Sequence, residues 1–498
     1  MNFAAACGVA DAARAAACEA VARRMRDEGV ARVRIGWCDT HGILRGKTLT
    51  AAAVPRVLAS GIGMASTILL KDTSDRTAYR VFEPGATAGL PGFGFANNLL
   101  LLPDPASFRV LPWAPGTGWM RAETWFDDAT PVPIDTRRIL RGALGRLAEA
   151  GYGLTCGLEV EFHIYRLDDA LRDAASLDPE RAAWPGEPPT MTMIHPGYNL
   201  LAEGWADRAD EPLRIVQHTA EGLGLPLASL EIELGPSQVE AVFDATDALT
   251  AADQMVAFRN GVTQALRRAG YHASFVCRPP FPNVMASGWH LHQSLRDLKS
   301  GANAFVRDAP ATGSGASDAQ HVLSAVGASW LAGLLEHGRA MAPFCNPTIN
   351  AYGRFRPNAM APSAVCWGRD NRGAMLRVLG RAGDAATRIE NRIGEPSANP
   401  YLYIAAQIYS GLDGLARGLA APPATVAPYS QGDADTAGRL PASLGEALDA
   451  LAADERLVAA FGAPIVAWLT QVKRAELARH DQADDKDAWQ AREYFSRF

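Results

Sequence analysis

Glu159 and Glu161 stand two residues apart in Gly157-Leu-Glu-Val-Glu-Phe-His-Ile-Tyr165. This run of β-branched, aromatic and apolar residues follows a Glu-Ala-Gly-Tyr-Gly turn and predicts a β-strand. Alternate residues of a strand share a face, so the two carboxylates project side by side, about 7 Å apart at roughly 3.3 Å of rise per residue. Carboxylates that close repel each other unless a positive group sits between them. An isolated Glu-x-Glu is usually a solvated strand face; its downstream company gives this one more meaning. Glu233, Glu240, His290 and Glu390 also fall on short strand-like pieces. Five carboxylates and one imidazole, with no thiolate, suit a hard divalent cation such as Mg²⁺ or Mn²⁺. Beside them run Arg354, Arg372, Arg377, Arg388 and Arg392, whose forks match phosphate and carboxylate geometry. Cations and arginines without a nucleophilic Ser or Cys make a set for phosphoryl transfer by positioning and charge neutralisation. There is no Walker-type glycine loop, so a nucleotide would be held in another way.

These side chains need elements to carry them. An Ala-rich start over 1–30, with Asp11, Arg14, Glu19, Arg23 and Arg24, predicts a helix and not a signal peptide. Residues 33–49 predict a hairpin about a turn at 39–42. The segment 61–103 is rich in Gly, Ala and Pro, and a further strand is expected over 120–126. Pro131-Val-Pro133 breaks the chain before a helix over 136–149 capped by Asp135 or Thr136. Beyond Gly151, strands bearing acidic or basic pairs alternate with amphipathic helices. Leu230-Glu-Ile-Glu-Leu-Gly-Pro-Ser-Gln-Val-Glu240 reads as strand, turn and strand; Gly288-Trp-His-Leu-His-Gln-Ser294 places His290 and His292 on one face. A polar loop over 431–439 precedes a helix start of capping-box type at Ser443 and Glu446.

A chain of 498 residues exceeds one ordinary core. Two domains are expected, 1–128 and 129–498. With 48% hydrophobic and 20% charged residues and a mean hydropathy of −0.06, the composition is that of a soluble globular protein. A net charge of −6 gives no reason to expect nucleic acid as a partner, and no apolar run is long enough to cross a bilayer. Seven cysteines without CxxC pairs fit reduced thiols in the cytoplasm.

Six motifs in order carry a resemblance. They are Glu159-Val-Glu161, Glu233-Leu-Gly-Pro-Ser-Gln-Val-Glu240, Ser287-Gly-Trp-His-Leu-His-Gln-Ser294, Asn346-Pro-Thr-Ile-Asn-Ala-Tyr-Gly-Arg354, Asn371-Arg372, and Arg388-Ile-Glu-Asn-Arg392 with Ser397-Ala-Asn-Pro-Tyr401. Through them nearly the whole chain resembles the glutamine synthetase family. The resemblance implies an α+β fold: an N-terminal β-grasp-like domain and a catalytic domain whose curved antiparallel sheet forms a funnel among helices. It implies a double-ring dodecamer with each site completed by a neighbour's N-terminal domain. One metal ion would sit on Glu161, Glu233 and Glu240, and a second on Glu159, His290 and Glu390. Arg372, Arg377 and Arg388 would hold nucleotide phosphates and the phosphoryl group in flight, and His292 would lie near the nucleotide. Arg354 and Arg392 would grip the carboxylates of L-glutamate. ATP would phosphorylate the γ-carboxylate, and an amine would then displace phosphate to form an amide.

The departures from the family pattern are informative. Where ammonia-using members carry a glutamate that binds ammonium and takes its proton, two residues before Pro362, this chain has Met360. No acid occurs in 61–66, where the neighbour's ammonium-site aspartate would fall, and Met285-Ala286 replaces the usual Asn-Gly. A thioether is an apolar filler and no base, and an ammonium ion without acceptors is left unpaired. An amine other than ammonia is therefore expected. An aromatic amine, neutral at pH 7, suits a lining of Met360 with Met64 or Met285, as in the γ-glutamylanilide-forming members; a small alkylamine fits the same lining. The alternatives are a polyamine ligase, an ordinary ammonia-using enzyme, and an inactive member kept as an assembly protein.

Overall fold

The computed structural model describes residues 2–168, 186–309, 318–355, 360–430 and 438–498. Most of the expected polar loop over 431–439 and residues 356–359, just before Met360, lie outside them.

The N-terminal strands form as the alternation of their residues dictates. In β1 (Arg32–Cys38), Val33 and Ile35 are fully buried while Arg32 is exposed. It pairs antiparallel with β2 (Leu44–Thr50) across the expected turn, which closes when Gly42 N donates to Asp39 O at 3.1 Å. With β3 (Ile62–Ala65), β4 (Asn98–Pro103), β5 (Arg109–Val110) and β6 (Thr117–Trp125) these strands make one sheet in the order β2-β1-β6-β4-β3, with β5 on β6. Within it β1 and β6 run parallel. The Ala-rich start is two helices, Phe3–Ala6 and Ala12–Asp27, not one. Gly8 takes φ +71° between them, and Asp11 caps the second by accepting from Arg14 N at 2.7 Å.

The second sheet is built on β7 (Tyr152–Leu167), longer at both ends than the expected strand. Its companions are β8 (Met191–Met193), β9 (Leu227–Ile232), β10 (Gln238–Asp247), β11 (Tyr271–Ser274), β12 (Trp289–Asp297), β13 (Trp367–Arg369), β14 (Leu376–Leu379) and β15 (Arg388–Asn391). The order is β13-β14-β15-β12-β7-β10-β9, with β8 and β11 also on β7, and all pairs except β13 with β14 are antiparallel. Helices cover its apolar face. Thr136–Glu149 forms over the expected residues, because Asp135 accepts from Arg137 N and Arg138 N and because Ile139, Leu140, Ala143 and Leu147 bury one stripe. Beneath the sheet Phe162 stacks on Phe275 at 4.8 Å and meets the edge of Phe258 at 5.8 Å. The α+β architecture is thus the expected one. Among the described residues no helix is long and apolar enough to cross a membrane.

The two sheets are fastened together by charge. Arg259 donates to Gly42 O, Pro396 O and Ala398 O, each at 2.8 Å. From the helix Ala463–Asp481, Trp468 donates to Leu69 O, Lys473 meets His41 and Glu476, and Arg479 binds Asp72 and Glu493. Glu493 in turn accepts from Thr73 and Ser74.

Candidate active site

Strand register assembles the acids. β10 sets Glu240 opposite Glu161 of β7, and β12 sets His290 opposite Glu159. β15 then places Glu390 opposite His292, and β14 places Arg377 opposite Glu390. Glu159, Glu161, His290 and His292 alternate along their strands, so all point to the face away from Phe162. The result is one row of acids and imidazoles across four strands, with Arg377 of a fifth beside it.

Nδ1 of His290 lies 3.1 Å from Glu159 Oε1 and 3.8 Å from Glu390 Oε1, while its Nε2 lies 3.9 Å from Glu161 Oε1. Arg388 Nε donates to His292 Nδ1 at 3.1 Å, which leaves His292 Nε2 as the donor to Glu159 Oε2 at 2.9 Å. Glu161 is aimed by two further donors, Gly288 N at 2.7 Å and Gln238 Nε2 at 3.2 Å. A Cβ on Gly288 would lie 2.9 Å from His290 Nε2 and against Arg354 Nη2, so any larger residue there would have to displace those two side chains.

Burial and mutual repulsion govern how these groups ionise. Burial, with the charge of Glu233, raises Glu161 to about 7; burial with Glu159 and Glu161 raises Glu240 to about 10. Glu233 is raised chiefly by burial. Burial also pushes Glu159 upward, but hydrogen bonds with His290 and His292 outweigh it and hold the carboxyl far below its ordinary range. Glu390 is lowered despite its burial by His290 and Arg392, and burial lowers His290 to about 4. Crowded carboxyls that must stay protonated without a counter-charge, beside a neutral imidazole, are the electrostatics of a divalent-cation site. Among the described residues, two ligand groups meet the geometry: Glu159, His290 and Glu390, and Glu161, Glu240 and His290, each with donor atoms within 4.8 Å of one another. The residues present therefore fit hard divalent ions. His290 belongs to both groups. Glu233 falls outside them, its carboxylate turned back to accept from Leu234 N at 2.8 Å, though its charge still reaches Glu161 and Glu240.

The arginines surround this row. Arg392 binds Glu390 and donates to Arg372 O at 2.9 Å and Met360 O at 3.5 Å. Arg377 donates to Glu390 Oε2 at 3.1 Å and twice to Asp370 Oδ1, at 3.0 and 2.6 Å. That fork holds the Asp370 carboxyl below its ordinary range. Arg388 lies beside His292, and Arg372 is exposed. Arg354 is buried and donates to three backbone carbonyls, Arg392 O, Ile393 O and Gly394 O, so it clamps the strand that carries Arg392.

Of the three methionines expected at the amine mouth, Met360 is 57% exposed and Met285 packs on Gly235, beside the loop that bears Glu233. Met64 is not brought to the site. It faces the N-terminal core, 6% exposed, because alternation along β3 turns Gly63 and Ala65 outward instead. Three residues of the site went unassigned in the sequence. Gln238 and Asp370 orient Glu161 and Arg377, and the exposed Tyr198 donates to Leu234 O and Asn283 O above the Glu233 loop. Tyr198, Ser237, Asn283, Met360 and Asp370 all hold positive φ, between 49° and 60°. Such strain in side-chain-bearing residues gathers at functional loops, and here it borders the row of acids.

The sequence profile of the glutamine synthetase catalytic domain matches residues 133–494. The chain is 36% identical to a γ-glutamylanilide synthase of an Acinetobacter species, with 94% of this chain and 93% of that one covered. It is 31% identical to a γ-glutamylethanolamide synthetase of Streptomyces coelicolor, with 93% and 92% covered. A glutamine synthetase of Methanosarcina mazei is 28% identical over 92% of this chain and 93% of its own. Among solved structures, that of a GmaS complex with ADP superposes with a TM-score of 0.74 at 27% identity, covering 95% of this chain and 98% of that one.

Proposed function

The chain belongs to the glutamine synthetase family, and we propose that it joins the γ-carboxyl of L-glutamate to an aromatic amine of aniline type or a small alkylamine in place of ammonia. It is a carbon–nitrogen bond-forming ligase, and its relatives act on amines. The specific amine is our reading, and Met360 carries it. This apolar side chain is exposed at the mouth of the site, and its carbonyl faces Arg392. A neutral aromatic amine needs no carboxylate to bind it as a cation and gains from an apolar lining. The resemblance to a γ-glutamylanilide synthase points the same way.

The family generally uses ATP and divalent metal ions. We assign one ion to Glu161, Glu233 and Glu240 and the other to Glu159, His290 and Glu390; when bound, these ions neutralise phosphate charge. The chain's own residues supply the rest. Arg372, Arg377 and Arg388 hold the nucleotide phosphates, with His292 kept in place by Arg388 and Glu159. Arg392 meets the γ-carboxyl of glutamate, and Arg354 acts by fixing the backbone under it. A γ-carboxylate oxygen attacks the terminal phosphorus of ATP, ADP departs, and the amine nitrogen then attacks the acyl carbon as phosphate leaves. The proton shed by the nitrogen passes to solvent or to phosphate, since Met360 takes none. We read the chain as two domains, 1–128 and 129–498, in a double-ring dodecamer whose N-terminal domain completes the neighbour's site. The family match beginning at 133 supports that boundary. Met285 and Tyr198 join Met360 in lining the amine path in this reading.

Phosphate release tests it, with ATP, Mg²⁺, L-glutamate and, in turn, aniline, isopropylamine, putrescine, ethanolamine and ammonium. Aniline or isopropylamine should give the highest kcat/KM. Strong release with ammonium alone would overturn the amine assignment, and none with any amine would point to an assembly protein.

A further inference from the structure

We propose that Asp370 is a positioning residue that fixes the plane of the Arg377 guanidinium and keeps two of its N–H groups free for a nucleotide phosphate. The inference rests on the reading that Arg377 faces the nucleotide. A guanidinium offers five N–H donors. Three are engaged: Nε and Nη2 with Asp370 Oδ1, and Nη1 with Glu390 Oε2. Two remain.

The arrangement solves a problem posed by the register of β14 and β15, which sets Arg377 directly opposite Glu390. Glu390 is fully buried, is already gripped by Arg392, and belongs to one of the two cation-ligand groups. A second arginine closing on it would oppose any cation there. Asp370 supplies a competing anion on the opposite edge of the guanidinium and draws it outward, with the shorter bond, 2.6 Å against 3.1 Å.

This is not an incidental surface pair. Asp370 holds φ 49°, a left-handed conformation that Asp and Asn tolerate better than most residues. Its backbone N–H donates to Val378 O at 3.0 Å, one residue past Arg377. The turn is thereby tied to the strand bearing the arginine, and the carboxylate is aimed by backbone geometry. Because the carboxylate is 68% exposed, the pair contributes little to stability, so its effect is expected in nucleotide binding.

Steady-state kinetics of Asp370→Asn, Asp370→Ala and Arg377→Ala in the Mg²⁺-loaded enzyme test this. Asn keeps the turn and one acceptor while removing the charge. Both Asp370 variants should raise KM for ATP by about three- to fivefold, the scale of one exposed ion pair, with Ala at least as severe as Asn. KM for glutamate and the melting temperature should stay at wild-type values. Added salt, which screens Arg377 from Asp370 as well as from phosphate, should raise the wild-type KM for ATP by a larger factor than that of Asp370→Asn. The proposal is overturned if both Asp370 variants keep the wild-type KM for ATP while Arg377→Ala raises it. If Arg377→Ala leaves that KM unchanged, the phosphate-facing role of Arg377 fails instead, and this proposal with it.

Discussion

Adding Mg²⁺ to the metal-free protein at pH 7 should expel about 1.5 protons per subunit from Glu161 and Glu240 together, in addition to any held by Glu233, which burial also raises. With its pKa near 10, Glu240 is almost fully protonated at that pH, and Glu161, near 7, is about half protonated. Glu159 and Glu390 are already ionised and His290, near 4, is already neutral, so none of these three releases anything. At pH 8 the count should fall to about 1.1 as Glu161 ionises. The same groups set the pH dependence of folding. Above the ordinary carboxylate range, the native state holds protons on Glu161 and Glu240 that the unfolded chain has lost. Stability of the metal-free protein therefore declines as pH rises, through about 7 for Glu161 and towards 10 for Glu240. Raising Glu161 from 4.5 to about 7 costs the metal-free fold about 3 kcal/mol once that proton is lost from both states. The depressed His290 acts between about 4 and 6.5 and leaves the window above that untouched. Titration calorimetry in two buffers of different ionisation enthalpy reads the proton count. Melting curves at pH 6 and 8, with and without saturating Mg²⁺, read the slope, which the ion should flatten. A buffer-independent binding enthalpy at pH 7 would refute the reasoning, since it would mean that the acids are ionised before the ion arrives.

Met360→Glu should lower kcat/KM for aniline-type amines by about tenfold and raise ammonium use by a similar factor, the scale expected when a pocket gains or loses one matched polar partner. The same amine series checks it, and an unchanged preference would remove Met360 from the account. Gly288→Ala places a methyl group against Arg354 and His290. It should cost about 1–3 kcal/mol of stability and weaken Mg²⁺ binding about tenfold by tilting a ligand, read by melting with and without the ion.

Features that depend on near neighbours in the chain were legible before any coordinates. The helix Thr136–Glu149 carries its own cap and apolar stripe, and the strand around Glu159 and Glu161 its own alternation. The hairpin of β1 and β2 was equally plain. What depended on pairing between distant strands was hidden. His290 serves both ligand groups because β12 adjoins β7 and β15 at once. Gln238 reaches Glu161 across the β10–β7 pair, and Arg354 proves to be a clamp on the backbone beneath Arg392. Met64 looked like a pocket residue because its stretch lacked acids, but side-chain direction on β3 follows the core it packs on. Asp370 and Tyr198 sit in loops whose purpose lies in backbone twist, which composition does not reveal.

Thr73 and Glu493, which bind each other, are 420 residues apart, and His41 and Lys473 are 432 apart. Asp72 accepts locally from Ser74 N and Arg76 N, and His41 Nε2 meets Lys71 O, but their bonds to Arg479 and Lys473 wait for a segment 407 and 432 residues further along. Contacts so distant along the chain form late and slow the approach to the native state. The N-terminal sheet is thus made well before the helix Ala463–Asp481 and Glu493, and it becomes fully seated only after they have arrived.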